Sequence, residues 1–218
     1  MAKPGVPSKA GGGPSAASEQ TRHSLVAAAI DVLRTDGYHG ASARRIAERA
    51  GCNQGLVFYH FGSVANLLLA ALDAVSADRL QRYTAAVAET SSVVGLTDVA
   101  AAIFEEDLDS GYAKVLVELI AGGSSAPGLG PEVAARIETW TGFAQTAVED
   151  SVDPVMLAAT APAGELAYAI VAMYLGLEML SHLDGDRDKA RALFGRARQL
   201  TALATALGIL PGAKGEDA

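Results

Sequence analysis

The sequence of 218 residues is poor in the residue types on which several protein classes depend. Its single cysteine excludes an internal disulfide framework, and it also excludes a structural zinc site built on paired cysteines. It has no run of about 18 or more consecutive apolar residues, and residues 1–18 lack the apolar core of a signal peptide. We therefore expect a cytoplasmic protein with no membrane-spanning segment.

The sequence also lacks the residue patterns that carry catalysis or hold a cofactor. It contains no evident nucleophile–base pair, and the glycines at 11–13 are followed by neither a strand nor the lysine of a phosphate-binding loop. An acidic cluster has no histidine close to it in sequence, which predicts a solvated helix face rather than a metal site. Its members are Glu105, Glu106, Asp107 and Asp109. We expect no enzymatic activity, no cofactor and no metal; an all-α enzyme or ligand carrier is the remote alternative.

The net charge of −8 argues at first against nucleic acid, but the charge is unevenly distributed. Residues 1–62 carry seven basic and four acidic side chains, whereas residues 63–218 carry ten basic and 21 acidic ones. Ends of opposite sign suggest two tasks, of which only the first involves a polyanion.

The composition favours an all-α fold, because alanine and leucine are frequent and strand-favouring residues are few. Residues 1–18, rich in glycine, proline and serine, predict a disordered arm. Apolar periodicity and capping residues then predict about nine helices. Their approximate ranges are 19–35, 43–50, 53–60, 64–89, 97–108, 111–121, 130–151, 162–183 and 187–207.

Residues 42–61 have the spacing of a helix-turn-helix motif. Ala47 is small where two helices must cross closely, and Gly51 follows four residues later, where the turn needs a flexible backbone. Val57 then packs the second helix back onto Ile46 and Ala47. Such a unit places its second helix in the major groove of DNA.

The motif resembles the TetR family of transcriptional regulators. The resemblance is carried by Ile46-Ala47, Ala50-Gly51, the run Gly55-Leu56-Val57-Phe58-Tyr59-His60-Phe61, and Leu67-Leu68. It covers residues 19–79 in detail and implies that three N-terminal helices bind DNA. It further implies that a fourth helix connects them to a larger helical domain, residues 80–218, which binds an effector and forms the dimer.

The resemblance also assigns roles to single positions in the DNA-binding domain. It implies DNA contacts for Ser42, Arg44, Arg45, Asn53, Gln54, Gly55, Tyr59 and His60. Asn53 and Gln54 open the recognition helix, where an amide can pair with adenine. Phe58 and Val64 depart from the family pattern, which has a phosphate-binding tyrosine and a lysine at those positions. Arg45 departs as well, since it replaces the acidic residue of a capping box.

Aromatic and methionine side chains in the C-terminal part are candidates for an effector pocket, although each alone is more often plain core. The candidate lining is Phe104, Tyr112, Trp140, Phe143, Met173 and Tyr174, with Glu178 or His182 as polar anchor. Few basic side chains fall in these helices, so we expect a neutral or cationic, largely apolar ligand.

Two consecutive helices carry apolar stripes at heptad spacing. The first stripe includes Leu166, Ile170, Leu177 and Leu180, and the second includes Leu193, Ala197, Leu200 and Ala204. Such stripes can pack against their symmetry mates as a four-helix bundle, or they can face their own domain. The family resemblance favours the dimer.

Together these patterns predict a homodimeric regulator that binds near-palindromic double-stranded operator DNA. A repressor released by a small molecule is the favoured interpretation; an activator or a ligand-independent DNA-binding factor is the alternative. Cys52 is interpreted as a small hydrophobic residue rather than a redox sensor.

Overall fold

The computed structural model describes residues 15–90, 92–123 and 126–210, and within those ranges it contains ten α-helices and no strand. The all-α prediction is thereby confirmed. The helices are α1 (Ala16–Gly40), α2 (Ala43–Ala50), α3 (Gly55–Phe61), α4 (Val64–Ala88), α5 (Val93–Ser110), α6 (Tyr112–Gly123), α7 (Leu129–Ser151), α8 (Pro154–Thr160), α9 (Ala163–Asp184) and α10 (Asp188–Ala206).

One helix, α8, was not predicted, so the described part of the chain contains ten helices rather than about nine. Its start is encoded locally, because Asp153 accepts hydrogen bonds from the amides of Val155 and Met156, and Pro154 occupies the first turn. At the N-terminus α1 begins at Ala16, where Ser15 caps it, so the prediction of a disordered arm over residues 1–18 is wrong for its last three residues. Residues 1–14 of that arm lie outside the described residues.

The first four helices share one apolar core. Leu25, Ala29 and Leu33 of α1 are buried in it together with residues of the three helices that follow. Those residues are Ile46 and Ala47 of α2, Val57 and Phe61 of α3, and Leu67 and Leu68 of α4. The predicted break after Thr35 occurs at Gly37, whose φ of 71° interrupts the helical backbone of α1.

Helix α4 continues from this unit into the C-terminal helices without a break. The predicted domain boundary between residues 79 and 80 therefore falls inside it. A second connection joins α1 to α6: the Tyr38 amide donates to Glu118 at 2.7 Å, and the Tyr38 ring lies directly over Gly122. A Cβ atom at Gly122 would overlap that ring. The three N-terminal helices α1–α3, here named the reading unit, thus meet the C-terminal helices through α4 and through the contact between α1 and α6.

Helix α9 packs against α7 but leaves much of its apolar surface exposed. Tyr168, Met173 and Leu183 are each more than half exposed. Among the described residues α9 is long and apolar enough to cross a membrane by length and composition alone, as are α3 and α4 if they count as one bent segment. The exposed apolar stripe continues on α10, at Leu193, Leu200, Leu203 and Leu207.

Candidate functional site

The helix-turn-helix is held by capping hydrogen bonds at the starts of α2 and α3. Ser42 Oγ accepts from the Arg45 amide at 3.2 Å, and Gly51 adopts a left-handed conformation that ends α2. Asn53 Oδ1 accepts from the Gly55 amide at 2.7 Å. The Gln54 side chain makes no capping bond, so it can extend from the exposed start of α3.

The basic side chains of α2 are each paired with a carboxylate. Arg44 binds Glu48 of its own helix at 2.9 Å, and both side chains are exposed. Arg45 binds Asp36 of α1 at 2.7 Å, and this bond holds the pKa of the Asp36 carboxyl below its ordinary value. Arg49 binds Asp31, also on α1. Arg45 and Arg49 therefore brace α2 against α1, while Arg44 projects into solvent.

Aromatic side chains form the outer surface of α3. Tyr59 is 78% exposed and packs edge-on against the half-buried His60, with ring centroids 5.0 Å apart. Phe58, at the position where the family resemblance led us to expect a phosphate-binding tyrosine, is also exposed. Phe61 is buried, and the Arg22 guanidinium lies 5.2 Å above its ring. Arg22, which was not predicted as a site residue, adds a cation from α1 beside the end of α3.

Two half-buried residues near the helix-turn-helix pack against the apolar core. Val64 packs against the apolar core at the start of α4, where the family pattern has a lysine. Cys52 also packs against it, and burial raises the pKa of its thiol. A raised pKa disfavours the reactive thiolate, which supports the interpretation of Cys52 as a small hydrophobic residue.

A cavity of about 130 Å³ lies among α4, α5, α6, α7 and α9. Five of the eight residues predicted for an effector site line it: Tyr112, Trp140, Phe143, Tyr174 and Glu178. Phe104 lies behind the wall, against the rings of Tyr174 and Phe194. The expectation was wrong for Met173 and His182, which are exposed on α9 and do not line the cavity. The cavity-facing residues of α9 follow helical spacing, at Val171, Tyr174 and Glu178, and Met173 lies off that face.

A buried ionic cluster forms the polar part of the cavity wall. The Asp107 carboxylate is fully buried and accepts from the Tyr83 hydroxyl at 2.6 Å and from the Tyr174 hydroxyl at 2.8 Å. It also forms an ion pair with the Arg79 guanidinium. The prediction of a solvated acidic face is wrong for Asp107, because this residue follows Phe104 by three positions and so shares its buried helix face.

The other members of the acidic cluster are at the surface and paired with arginines. Glu105 binds Arg187 and Arg191, Glu106 binds Arg82, and Asp109 binds Arg187. Among the described residues, no group of three or more histidine, cysteine, aspartate or glutamate side chains is arranged to hold a metal ion.

Two charged groups of the cavity wall keep an unpaired atom. The Arg79 guanidinium lies over the Tyr112 ring and 5.0 Å from the centroid of Trp140, but its Nη1 atom has no acceptor within the described part of the chain. Glu178 Oε1 likewise has no donor there. Burial raises the pKa of the Glu178 carboxyl to about 7, and the positive charge of Arg79 opposes part of that rise. Burial also raises the pKa of the Tyr174 hydroxyl.

Arg79, Tyr83 and Asp107 were not identified as site residues from the sequence. The available signal was the spacing of Arg79 and Tyr83, which lie four residues apart and so share a face of α4. Their common partner, Asp107, lies 24 residues beyond Tyr83, which is too far for local periodicity to indicate the contact.

The predicted dimer stripes are only partly on the surface. Leu180, Leu193 and Leu200 are more than half exposed. Leu166, Leu177, Ala197 and Ala204 are half-buried. Ile170 is exposed on one side and lines the cavity on the other.

A family match, related sequences and a solved structure all point to transcriptional regulators. The family described as "Bacterial regulatory proteins, tetR family" matches residues 25–71. The transcriptional repressor AcnR of Corynebacterium efficiens is 29% identical over 166 residues, which cover 76% of this chain and 79% of that protein. AcnR of Corynebacterium glutamicum is 32% identical over 100 residues, which cover 45% of this chain and 48% of that protein.

A solved structure shares the fold over nearly the whole length. The TetR-family transcriptional regulator of Cytophaga hutchinsonii superposes with a TM-score of 0.68 at 15% identity, covering 91% of this chain and 98% of that one. The matched helix-turn-helix domain and the related repressors support a TetR-family transcriptional regulator, and the solved structure shares its fold.

Proposed function

We propose that the chain is a homodimeric repressor whose binding to operator DNA is released by a small molecule in the α4–α9 cavity. The observation that carries this proposal is the placement of α4. This helix begins directly after the recognition helix α3, and fifteen residues further on it contributes Arg79 to the cavity wall. A ligand that moves Arg79 therefore acts on the element that holds the reading unit.

The proposed DNA interface is the exposed surface of α2 and α3. Gln54, whose side chain makes no capping bond at the start of α3, would read a base edge, and Asn53 would support it. Arg44, Ser42 and Tyr59 would bind phosphates, since all three are exposed beside the recognition helix. Arg45 is paired with Asp36 of α1 and would orient α2. Gly55 would let the backbone approach DNA closely at the start of α3, and His60 would hold the Tyr59 ring that packs against it.

The proposed dimer interface is the exposed apolar face of α9 and α10. Leu180, Leu193 and Leu200 lie on it, and a second copy of the same surface would cover them in a two-fold arrangement. Two reading units at a fixed separation match a near-palindromic operator with half-sites about 34 Å apart. The division between the reading unit and the effector and dimer unit then lies within α4, close to the predicted boundary at residues 79 and 80, with Arg79 on the effector side.

Repression is supported by the relatives, because both AcnR proteins are named transcriptional repressors. Release requires that the ligand bind the DNA-free form more tightly. A 100-fold preference corresponds to about 2.7 kcal/mol, a common size for such coupling.

The test combines two measurements on the same samples. Trp140 is the single tryptophan and lines the cavity, so its fluorescence reports ligand entry directly. Gel shifts with the DNA upstream of the chain's own gene report operator binding, and a transcription assay on that DNA distinguishes repression from activation. Compounds that change Trp140 fluorescence should weaken the shifted band in proportion. If they leave DNA affinity unchanged, the protein is a ligand-independent DNA-binding factor.

A further inference from the structure

The cavity presents an unpaired donor and an unpaired acceptor to any molecule inside it. Arg79 is 5% exposed, and its Nη1 atom has no acceptor among the residues that the structure describes. Glu178 is 1% exposed, and its Oε1 atom has no donor in the same part of the chain. Buried polar groups are nearly always hydrogen-bonded, so two such atoms lining the same cavity, one from α4 and one from α9, point to a polar ligand group that binds both.

The charges around the cavity decide what that polar group can be. The Arg79 charge is already matched by Asp107, whose carboxylate is further held by the hydroxyls of Tyr83 and Tyr174. Tyr112 packs on Arg79 and adds no charge. Arg79, Asp107 and Glu178 together are therefore neutral when Glu178 holds its proton, and carry one negative charge when it does not.

An anionic ligand does not suit this balance, because it would add a buried negative charge beside Glu178 with no unmatched cation to receive it. A cationic ligand could pair with Glu178 but would face the Arg79 guanidinium and leave Nη1 without an acceptor. A neutral group with an acceptor next to a donor satisfies both atoms. An amide has that arrangement, with its oxygen and its N–H side by side.

The size and the lining of the cavity indicate the size and polarity of the remaining, apolar part of the ligand. Its volume of about 130 Å³ is close to the roughly 150 Å³ of an engineered apolar cavity that binds benzene. Trp140, Phe143 and Ile137 supply an apolar wall. The space therefore suits one ring with a small polar group attached.

We propose that the effector is a neutral, single-ring amide, whose carbonyl oxygen accepts a hydrogen bond from Arg79 Nη1 and whose N–H donates to Glu178 Oε1. This inference rests on the proposed function, since it names the ligand class of the same cavity. Such a ligand would connect α4, through Arg79, to α9, through Glu178, and so joins the helix that holds the reading unit to the helix proposed for the dimer.

The test uses four single-ring compounds of nearly equal size on the full chain at pH 6, below the pKa of Glu178, so that its carboxyl holds the proton. Benzamide offers the acceptor and the donor, benzoate is an anion, benzylamine is a cation, and toluene has no polar group. Trp140 fluorescence and calorimetry measure their dissociation constants. We expect benzamide to bind at least about tenfold more tightly than the other three, as two satisfied buried groups require. Equal or tighter binding of benzoate or benzylamine, or no binding of any of the four, would overturn the proposal.

A variant series assigns the selectivity to the named atoms. Glu178→Leu keeps the side-chain size but removes the acceptor, so the advantage of benzamide over toluene should fall by about tenfold while toluene still binds. Glu165→Gln removes a charge from an exposed position of the same helix and should leave the ratio unchanged. An unchanged ratio in Glu178→Leu would contradict the proposal. If Glu178→Leu does not fold, the affinities of the four compounds for the wild-type chain still test the proposal.

Gel shifts on the same compounds keep this inference apart from the proposed function. If benzamide leads the series but leaves operator binding unchanged, the ligand class stands and ligand release is wrong. If benzoate or benzylamine leads and releases the operator, release stands and the amide class is overturned.

Discussion

The arginines of α2 differ in the partners of their guanidinium groups. Arg45 and Arg49 bind carboxylates of α1, so their side chains are held against the neighbouring helix. Arg44 binds Glu48 of its own helix, and its side chain is 81% exposed. Exposed pairs of this kind are weak, so a DNA phosphate can compete with Glu48 for Arg44.

We therefore expect Arg44→Ala to weaken operator binding and to lower the slope of log affinity against log salt by about 0.9, the contribution of one phosphate contact. Arg45→Ala is the matched control, because it removes the same group one residue along from a position tied to Asp36. It should leave the slope unchanged and slightly lower the melting temperature. Gel shifts over a salt series measure both slopes; equal losses in the two variants would contradict the distinction.

Glu178 is a residue whose protonation bears on the stability of the whole domain. Burial raises the pKa of its carboxyl to about 7, whereas the ordinary value is 4.5. Between these pH values the folded chain keeps a proton that the unfolded chain has released. The contribution of Glu178 to the free energy of unfolding therefore falls as the pH rises from about 4.5 to about 7.

Glu178→Gln should remove this loss, because glutamine has no proton to release. At pH 8 we expect the variant to be more stable than wild type by about 2–3 kcal/mol, relative to their difference at pH 4.5. Denaturant unfolding at both pH values gives the comparison. Glu165→Gln, on the exposed part of α9, is the control and should show no such change with pH. A constant difference between wild type and Glu178→Gln would mean that Glu178 is not held protonated by the fold.

At the scale of the elements, local signals predicted the helices well. Ser42, Ser63 and Gly51 are cap residues whose effect depends on their immediate neighbours, and each is found at the predicted helix end. The missed helix α8 is only seven residues long, so it offers too short a window for periodicity. Packing between helices was not predictable in this way, because Tyr38 and Gly122 meet across 84 positions of the chain and nothing local to either residue indicates the other.

The contact between Tyr38 and Gly122 leads to a prediction on the junction of α1 and α6. Gly122→Ala should destabilise the protein by about 1–3 kcal/mol, because the added methyl overlaps the Tyr38 ring and forces the helices apart. Gly142→Ala, within α7, has open space for its Cβ and should be neutral or stabilising by about 0.5–1 kcal/mol. Thermal unfolding of both variants tests this. Similar effects of the two substitutions would show that helix propensity, not the junction, sets the outcome.

At the scale of the whole molecule, the exposed stripe on α10 predicts how assembly can be broken. Leu200 is 65% exposed in the single chain, so Leu200→Glu should leave the fold intact. In the proposed dimer the same charge would be buried unpaired at a cost of several kcal/mol, so the dimer should dissociate and operator binding should be lost. Sedimentation gives the mass and a gel shift gives the binding.

Gln199→Glu supplies the control, since it adds the same charge at the neighbouring exposed position. It should remain a dimer and bind the operator. If Leu200→Glu also remains a dimer that binds DNA, the interface lies on another face of the molecule.

The candidate cavity could be predicted only in part from the sequence. Trp140, Phe143 and Glu178 were found because a large or charged side chain within an apolar helix is conspicuous on its own. Arg79 and Asp107 were missed because each resembles an ordinary surface residue until the other is placed beside it. A buried ion pair is a property of two distant segments, so it became visible only in the folded chain.

Helix α4 is unbroken, so in the proposed mechanism a tilt at the cavity would be transmitted along it to the reading unit. From Val64, where the reading unit is attached, to Arg79 at the cavity the helix rises by about 1.5 Å per residue, which gives an arm of about 22 Å. A tilt of about 5° at the cavity end would move the far end by about 2 Å. In the proposed two-fold dimer α4 would tilt in both subunits, and the separation of the two recognition helices would change by about 4 Å, compared with a half-site distance of about 34 Å. In the proposed mechanism, a small rotation of α4 at the cavity would therefore be enough to mismatch the two recognition helices with the spacing of the DNA half-sites.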